Sequence, residues 1–342
     1  MICKLANYAD AERIDTLRGR LRKEGVESYL VKFDESHLLI TENPSDRAAT
    51  LLAESALVTH QFRLGTPYQL TSRRYHPADT TIAFADVLIG GEYVHVIAGP
   101  CAIESEPIAR ELATLMQKSG LVFFRGGLFK PRTSPYSFQG LGESGLSILR
   151  ELKNMGMLLV TEALDDRCLR LLADIVDVIQ IGSRNMHNFS LLRAVGELGK
   201  PVLLKRGMAA TLEEFLMAAE YIVISGNRNV ILCERGIRTV SDHTRNTLDL
   251  SAIPFLKRET HLPVIVDPSH GTGRRELVPA MSRAAVAAGA DGVMIEIHPQ
   301  PSIAWSDGDQ SMFPADLPTL LLDIDRIAAA IGRKLWKKSS KN

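Results

Sequence analysis

LVFFRGGLFKPRTSPYSFQGLGESG, residues 121–145, begins as a buried strand and cannot continue as one. The apolar run 121–124 is followed by Arg125, Lys130 and Arg132, with Gly126, Gly127, Pro131 and Pro135 interspersed, so the chain must leave regular structure there. A loop that sets three cations and the hydroxyls of Thr133 and Ser134 just past a strand suits an anionic small molecule. Arginine forks match phosphate and carboxylate oxygens two at a time, and lysine adds a point charge. A solvated basic loop is the plainer alternative, and the rest of the chain decides between them.

Downstream, short apolar runs alternate with amphipathic stretches. Strands are expected at 94–98, 121–124, 158–161, 176–181, 202–204, 230–232, 264–266 and 292–295, each nearly continuous in apolar residues, as strands buried on both faces should be. Residues 211–225 show the helical pattern between them. Thr211 and Glu214 form a capping box, Leu212, Phe215, Leu216, Ala219, Ile222 and Val223 share a face, and Gly226 stops the helix. Eight strand-helix units imply a TIM (β/α)8 barrel, with an open doubly wound sheet as the weaker alternative. Upstream, residues 1–65 read strand, helix, strand, strand, helix, strand, the split βαβ order of a small ferredoxin-like α+β domain. Residues 66–86 carry turn formers and no sustained period, and are read as a linker; the barrel domain is expected over 87–335, opening with a hairpin at 87–96.

Lys plus Arg equals Asp plus Glu at 40 each, which argues against a general nucleic-acid or membrane-surface binder and makes any basic cluster local. The first residues lack the layout of a signal peptide, and no apolar run reaches the roughly 18 residues of a membrane span, so a cytoplasmic protein is expected. Cys3, Cys101, Cys168 and Cys233 lie far apart without a CxxC pair, which fits reduced thiols.

In a barrel, chemistry collects where strands end. The residues just past the expected strands include Cys101, Arg125, Lys130, Ser183, Arg184, Lys205, Arg206, Glu234, Arg235, Asp267, His270, Glu296 and His298, with Asp307 in the last loop. Two groups separate. Cys101, His270, Glu296 and Asp307 are metal-ligand types on strands that become neighbours when the barrel closes, enough to hold one divalent ion. Arg125, Lys130, Arg132, Arg184, Lys205 and Arg235 ring the same mouth and suit two or more anionic groups; salt bridging on an ordinary rim is their bland reading. Lys205 as a Schiff-base nucleophile is a weaker alternative, because neighbouring cations explain it better as an anion ligand.

IAGPCAIES, FRGGLFKPRTSPYSFQGLGESGL, IGSRNMHNF, PVLLKRGM, ILCERGIRT, RNTLDLSAIP, VDPSHGTGRRELV and IEIHPQPSIAWSDGDQS together resemble the 3-deoxy-D-arabino-heptulosonate 7-phosphate (DAHP) synthases, in the branch that includes 3-deoxy-D-manno-octulosonate 8-phosphate synthases. KPRTS, residues 130–134, is similar to the heptulosonate enzymes; the octulosonate enzymes, the alternative reading, carry an asparagine-containing loop there. His187 stands where the family pattern has glutamine. The resemblance implies a metal-dependent condensation of phosphoenolpyruvate with erythrose 4-phosphate, the first step of the shikimate pathway. It puts the metal ligands on Cys101, His270, Glu296 and Asp307, and phosphoenolpyruvate on Arg125, Lys130, Arg184, Lys205 and Arg235. Erythrose 4-phosphate falls to Arg132, Thr133 and Ser183, with Lys130, His270 and Cys101 central to the chemistry. It implies one divalent ion, Mn2+, Fe2+, Zn2+ or Co2+, and a homo-oligomer. A ferredoxin-like domain before such a barrel further implies regulation by tyrosine or phenylalanine, with Ser36 and His37 as candidate contacts. A non-catalytic amino-acid sensor on a retired barrel is disfavoured, because every ligand type is retained.

Overall fold

The computed structural model describes residues 1–33, 36–42 and 44–338. At the amino end, β1 (Ile2–Leu5), α1 (Ala11–Lys23), β2 (Ser28–Phe33), β3 (Ser36–Thr41), α2 (Asp46–Ala53) and β4 (Val58–Phe62) form an antiparallel sheet of order β2-β3-β1-β4 with two helices. Asp10 caps α1 by accepting from Arg13 N at 2.8 Å, and Ile14, Leu17 and Leu21 turn its apolar face to the sheet. The sheet is buried on both sides. Cys3, Leu5 and Leu39 pack with the helices, while Ile2, Val31, Phe33, Leu38 and Ile40 join the large core that includes the barrel helices.

The connection is pinned by α7 (Leu212–Ile224). Its buried Glu220 accepts hydrogen bonds from Leu70 N (2.7 Å), Thr71 N (2.9 Å) and Thr71 Oγ1 (2.9 Å). Three donors satisfy a carboxylate that burial would otherwise make costly.

A closed barrel follows, of eight parallel strands. These are β7 (Tyr93–Gly99), β8 (Phe123–Arg125), β9 (Leu158–Glu162), β10 (Val178–Ile181), β11 (Val202–Lys205), β12 (Val230–Glu234), β13 (Val264–Val266) and β14 (Gly292–Glu296), with β14 pairing back onto β7. The helices α3 (Glu106–Lys118), α4 (Leu146–Asn154), α5 (Asp166–Leu172), α6 (Phe189–Glu197), α7, α8 (Ala252–Glu259), α9 (Pro268–Thr272), α10 (Val278–Ala287) and α11 (Leu317–Ala330) lie in the crossovers, and β15 (Lys334–Leu335) lies beside β7.

The hairpin sits earlier than expected. It is β5 (Ile82–Phe84) with β6 (Val87–Ile89), and its first strand falls within 66–86; residues 93–99 already belong to the barrel. Its turn, Ala85-Asp86, carries none of the usual glycine, proline or asparagine signals, and Ala85 takes φ +52°. Gly90 and Gly91, at φ +97° and +71°, instead break the chain between β6 and β7. The hairpin plugs the barrel floor. Ile82, Phe84, Val87 and Ile89 pack on Ile97, Phe123, Val160, Val178, Leu203, Ile231, Ile265 and Met294, so the lumen is a solid apolar core below the mouth.

Candidate active site

Strand ends β8, β9 and β11 deliver Arg125, Glu162 and Lys205 to the mouth, where a cavity of about 280 Å³ opens. Its lining includes Arg125, Lys130, Arg132, Thr133, Glu162, Gln180, Ser183, Arg184, Lys205, Arg235, Arg245, His270 and Asp307. Arg125, Lys130, Lys205 and Arg235 are each at least 92% buried, whereas Arg184 and Thr133 are exposed and Arg132 and Ser183 are half-buried. The cations therefore form a buried inner ring and a wetter outer rim. Arg184 Nη2 donates to Thr133 Oγ1 at 3.5 Å, and Arg132 Nη1 to Ser306 Oγ at 2.6 Å.

Below the ring, Cys101, His270, Glu296 and Asp307 bring one candidate ligand atom each within 4.8 Å of one another. One thiol, one imidazole and two carboxylates fit a divalent transition metal. Cations touch these groups closely. Lys130 Nζ donates to Cys101 Sγ at 2.8 Å, Arg125 Nη1 to Glu296 Oε1 at 2.9 Å, and Arg245 Nη1 to Asp307 Oδ1 at 3.3 Å. Asp267 caps α9 through Oδ1 to His270 N (2.8 Å), while its Oδ2 accepts from His270 Nδ1 (2.7 Å) and from Lys205 Nζ. That bond fixes the tautomer, leaving His270 Nε2 to face Glu296. The contact with Asp267 gives Lys205 a charged partner at the cavity wall.

The electrostatics follow from burial. Burial pushes the Cys101 thiol up to about 12, with Glu296 adding to the push and Lys130 opposing it; a coordinated metal is what would make it a thiolate. Burial also lowers His270 in spite of Asp267. For Asp267 the burial penalty is outweighed by His270 and Lys205, which hold it well below the usual carboxylate range.

All the residues expected at the site lie at this mouth, Cys101 and Glu296 under it and the others in its wall. Arg206, Glu234 and His298 serve elsewhere. Arg206 pairs with Glu234 (2.9 Å) and Asp249 (3.1 Å), and His298 approaches Glu104 at 3.4 Å. His187 is exposed on the surface before α6, edge-on to Phe189. Glu162, Gln180, Arg245 and Gln310 were not anticipated. β9 runs one residue past the expected end and delivers Glu162, whose carboxylate lies over Gly182: a Cβ there would be 1.9 Å from Oε1. Reading one residue further along the strand finds it.

Comparison with known proteins narrows the chemistry. Residues 69–329 match the DAHP synthetase I family. The chain belongs to that family. It is 52% identical over 274 residues to phospho-2-dehydro-3-deoxyheptonate aldolase of Thermotoga maritima, covering 80% of this chain and 81% of the relative. It is 35% identical over 248 residues to 2-dehydro-3-deoxyphosphooctonate aldolase of Methylococcus capsulatus, covering 67% and 86%. The crystal structure of the Thermotoga maritima DAHP synthase superposes with a TM-score of 0.78 at 43% identity over 98% of both chains. A truncated form of the Thermotoga maritima synthase superposes at 0.74 with 48% identity, over 79% of this chain and 99% of that one. Among the described residues no helix is long and apolar enough to cross a membrane.

Proposed function

We propose that this chain is a DAHP synthase, joining phosphoenolpyruvate, D-erythrose 4-phosphate and water into 3-deoxy-D-arabino-heptulosonate 7-phosphate and inorganic phosphate. The observation that carries this is the inner ring of buried cations set directly over a thiol, imidazole and carboxylate cluster. Two anionic substrates and an electrophile need such a pairing. The choice of erythrose 4-phosphate over arabinose 5-phosphate rests on the higher identity to the heptonate enzyme and on KPRTS at 130–134.

In this reading Arg125, Lys130, Lys205 and Arg235 hold the phosphate and carboxylate of phosphoenolpyruvate, with Arg184 at the edge. Arg132, Thr133 and Ser183 hold erythrose 4-phosphate so that its aldehyde faces C3 of the enol. A divalent metal on Cys101, His270, Glu296 and Asp307 would supply Lewis acidity toward the aldehyde oxygen. The C3 to aldehyde-carbon bond forms, a water oxygen bonds to C2, and the C2–O bond to phosphate breaks. Glu162 lines the cavity outside the metal set and has no ion pair among the described residues, so it is placed to take the water's proton. Lys130, between the cations and Cys101, is placed to deliver a proton to the nascent alkoxide. Fixed donors that need not reorganise are where such a site gains its rate.

Residues 1–65 are the regulatory domain in this reading, 66–86 the connection and 87–335 the catalytic domain. Tyrosine or phenylalanine is the effector class, with Ser36 and His37 on β3 as contacts, in a cytoplasmic homo-oligomer serving the shikimate pathway. An effector acts only by binding one arrangement of the domains more tightly than another. Two measurements test the whole. Phosphate release from phosphoenolpyruvate should proceed with erythrose 4-phosphate, not with arabinose 5-phosphate, and stop on chelation. Deleting residues 1–65, which spares the Leu70 and Thr71 donors to Glu220, should retain turnover and abolish any response to tyrosine or phenylalanine; a response surviving the deletion would refute the regulatory assignment.

A further inference from the structure

The SDGDQS segment, residues 306–311, supplies Asp307, and three residues on it places Gln310, which is 2% exposed. Gln310 Nε2 donates to Glu296 Oε2 at 2.6 Å, and Gln310 Oε1 accepts from Arg245 Nη1 at 2.9 Å. The amide has one chemically sensible orientation, since a carboxylate needs the NH2 and a guanidinium needs the oxygen. Arg245 Nη1 also reaches Asp307 Oδ1, so one amide and one guanidinium link two carboxylates that lie on different segments. The loop is brought alongside by its backbone, with Met312 N donating to Glu296 O at 2.8 Å.

We propose that Gln310 is a positioning residue of the metal centre: it pins Oε2 of Glu296, turns Oε1 toward His270, and through Arg245 sets the rotation of Asp307. This rests on the metal reading given above. Glu296 Oε1 lies 3.5 Å from His270 Nε2 and accepts from Arg125 Nη1 at 2.9 Å, so the carboxylate is held at both oxygens, with Gln310 the neutral anchor on Oε2. Asp307 sits at φ +52°, a left-handed conformation uncommon outside glycine and tolerated by aspartate better than by most residues. Its surroundings hold it there. Arg245 holds the carboxylate, Ser311 Oγ donates to Asp307 O at 3.1 Å, and Arg245 is anchored by its own backbone N to Thr272 O at 2.8 Å. Arg245 carries charge that opposes a dication while its hydrogen bonds favour the ligand geometry; Gln310 is neutral and isolates the positional effect.

The test uses cobalt(II) as probe, because a thiolate ligand gives it a charge-transfer band and its d–d bands report ligand geometry. Gln310→Met keeps volume and removes both hydrogen bonds. It should raise the cobalt dissociation constant about 10- to 100-fold and shift the d–d bands, with the phosphoenolpyruvate KM at saturating cobalt little changed. Arg245→Met, at a side chain 41% exposed and so safe for folding, should shift the same bands even where charge relief masks the affinity loss. Wild-type affinity and bands in Gln310→Met, or unshifted bands in Arg245→Met should the first variant not fold, overturn the proposal. A fall in kcat with affinity and bands intact also overturns it, by placing Gln310 at substrate. If the wild-type chain binds no cobalt with a thiolate band, the metal reading itself fails and this inference goes with it, a result distinct from the others.

Discussion

At the floor of the barrel Phe84 meets Phe123 edge to face at 5.2 Å and His95 stacks on Trp336 at 5.8 Å, all enclosed by aliphatic side chains. At the mouth, Arg125, Lys130 and Lys205 are as deeply buried, each bonded to an acidic group or a thiol. Burial means different things at the two ends. Apolar burial at the floor contributes to folding roughly in proportion to area. A buried ion pair gains little net stability, because desolvation offsets its Coulomb attraction. The mouth instead holds charge ready for anions, and substitutions at the two ends should separate stability from turnover.

The largest expected effect is at the mouth. Cys101→Ala should lose metal and turnover together, by at least about 10³-fold, since a Lewis acid is worth several kcal/mol of barrier. Metal content and kcat measured on one preparation check it, and full activity in metal-free protein would break the contrast altogether. Next comes the floor. Phe84→Ala should cost about 3–5 kcal/mol of stability while leaving kcat and both KM values of the folded enzyme near wild type. Thermal unfolding beside steady-state kinetics decides, and a change in KM would show that the floor is felt at the mouth.

A third test uses pH on the floor itself. Burial pushes His95 down from 6.5 to about 4, and its Nε2 donates to Leu88 O at 2.7 Å. A base depressed on folding stays neutral in the native state while the unfolded chain takes up a proton, so the stability it contributes is full above about pH 6.5 and is lost as pH falls toward 4. The change is about 3 kcal/mol at most. His261, lowered to about 4 for the same reason, adds a parallel slope at the connection to α8. His95→Gln, which keeps a donor for Leu88, should flatten part of the acid side of the stability curve; an unchanged slope in denaturant melts at pH 7 and pH 5 counts against it.

The contrast also explains what the sequence made legible. Strand ends were readable because short apolar runs stop at charged residues, which is how Arg125, Lys205, Arg235 and Glu296 could be named from spacing alone. The ferredoxin-like order was readable from the period of α1 and its glycine stop. The floor hairpin was misplaced because its turn, Ala85-Asp86, lacks the glycine or asparagine that marks a two-residue hairpin turn, while Gly90-Gly91 just downstream carries that signal. Glu162 lay one residue past the expected end of its strand, whereas Arg245 and Gln310 were missed for another reason: each works through a partner distant in sequence, and nothing local in HTRNT or SDGDQS announces that partner. Periodicity reports on a residue's own element, while the outer contacts of a site are set by closure of the barrel.

The smallest expected effect divides the mouth itself. Arg132 is half-buried and donates to Ser306 Oγ at 2.6 Å, whereas Lys130, two residues earlier, is 8% exposed and donates to Cys101 Sγ. Opposite burial implies opposite duties. A wetter arginine loses part of its charge interaction to solvent, so Arg132→Ala should cost about 1.5 kcal/mol, roughly tenfold, the lower end for a charged hydrogen bond. If Arg132 serves the aldose phosphate, that tenfold appears in the KM for erythrose 4-phosphate, with the KM for phosphoenolpyruvate shifted less than about twofold and kcat little changed. Initial rates over a grid of both substrates give the split directly. Equal increases in both KM values would mean that the inner ring and outer rim hold a single shared anion site, and the division drawn between Lys130 and Arg132 would have to be redrawn.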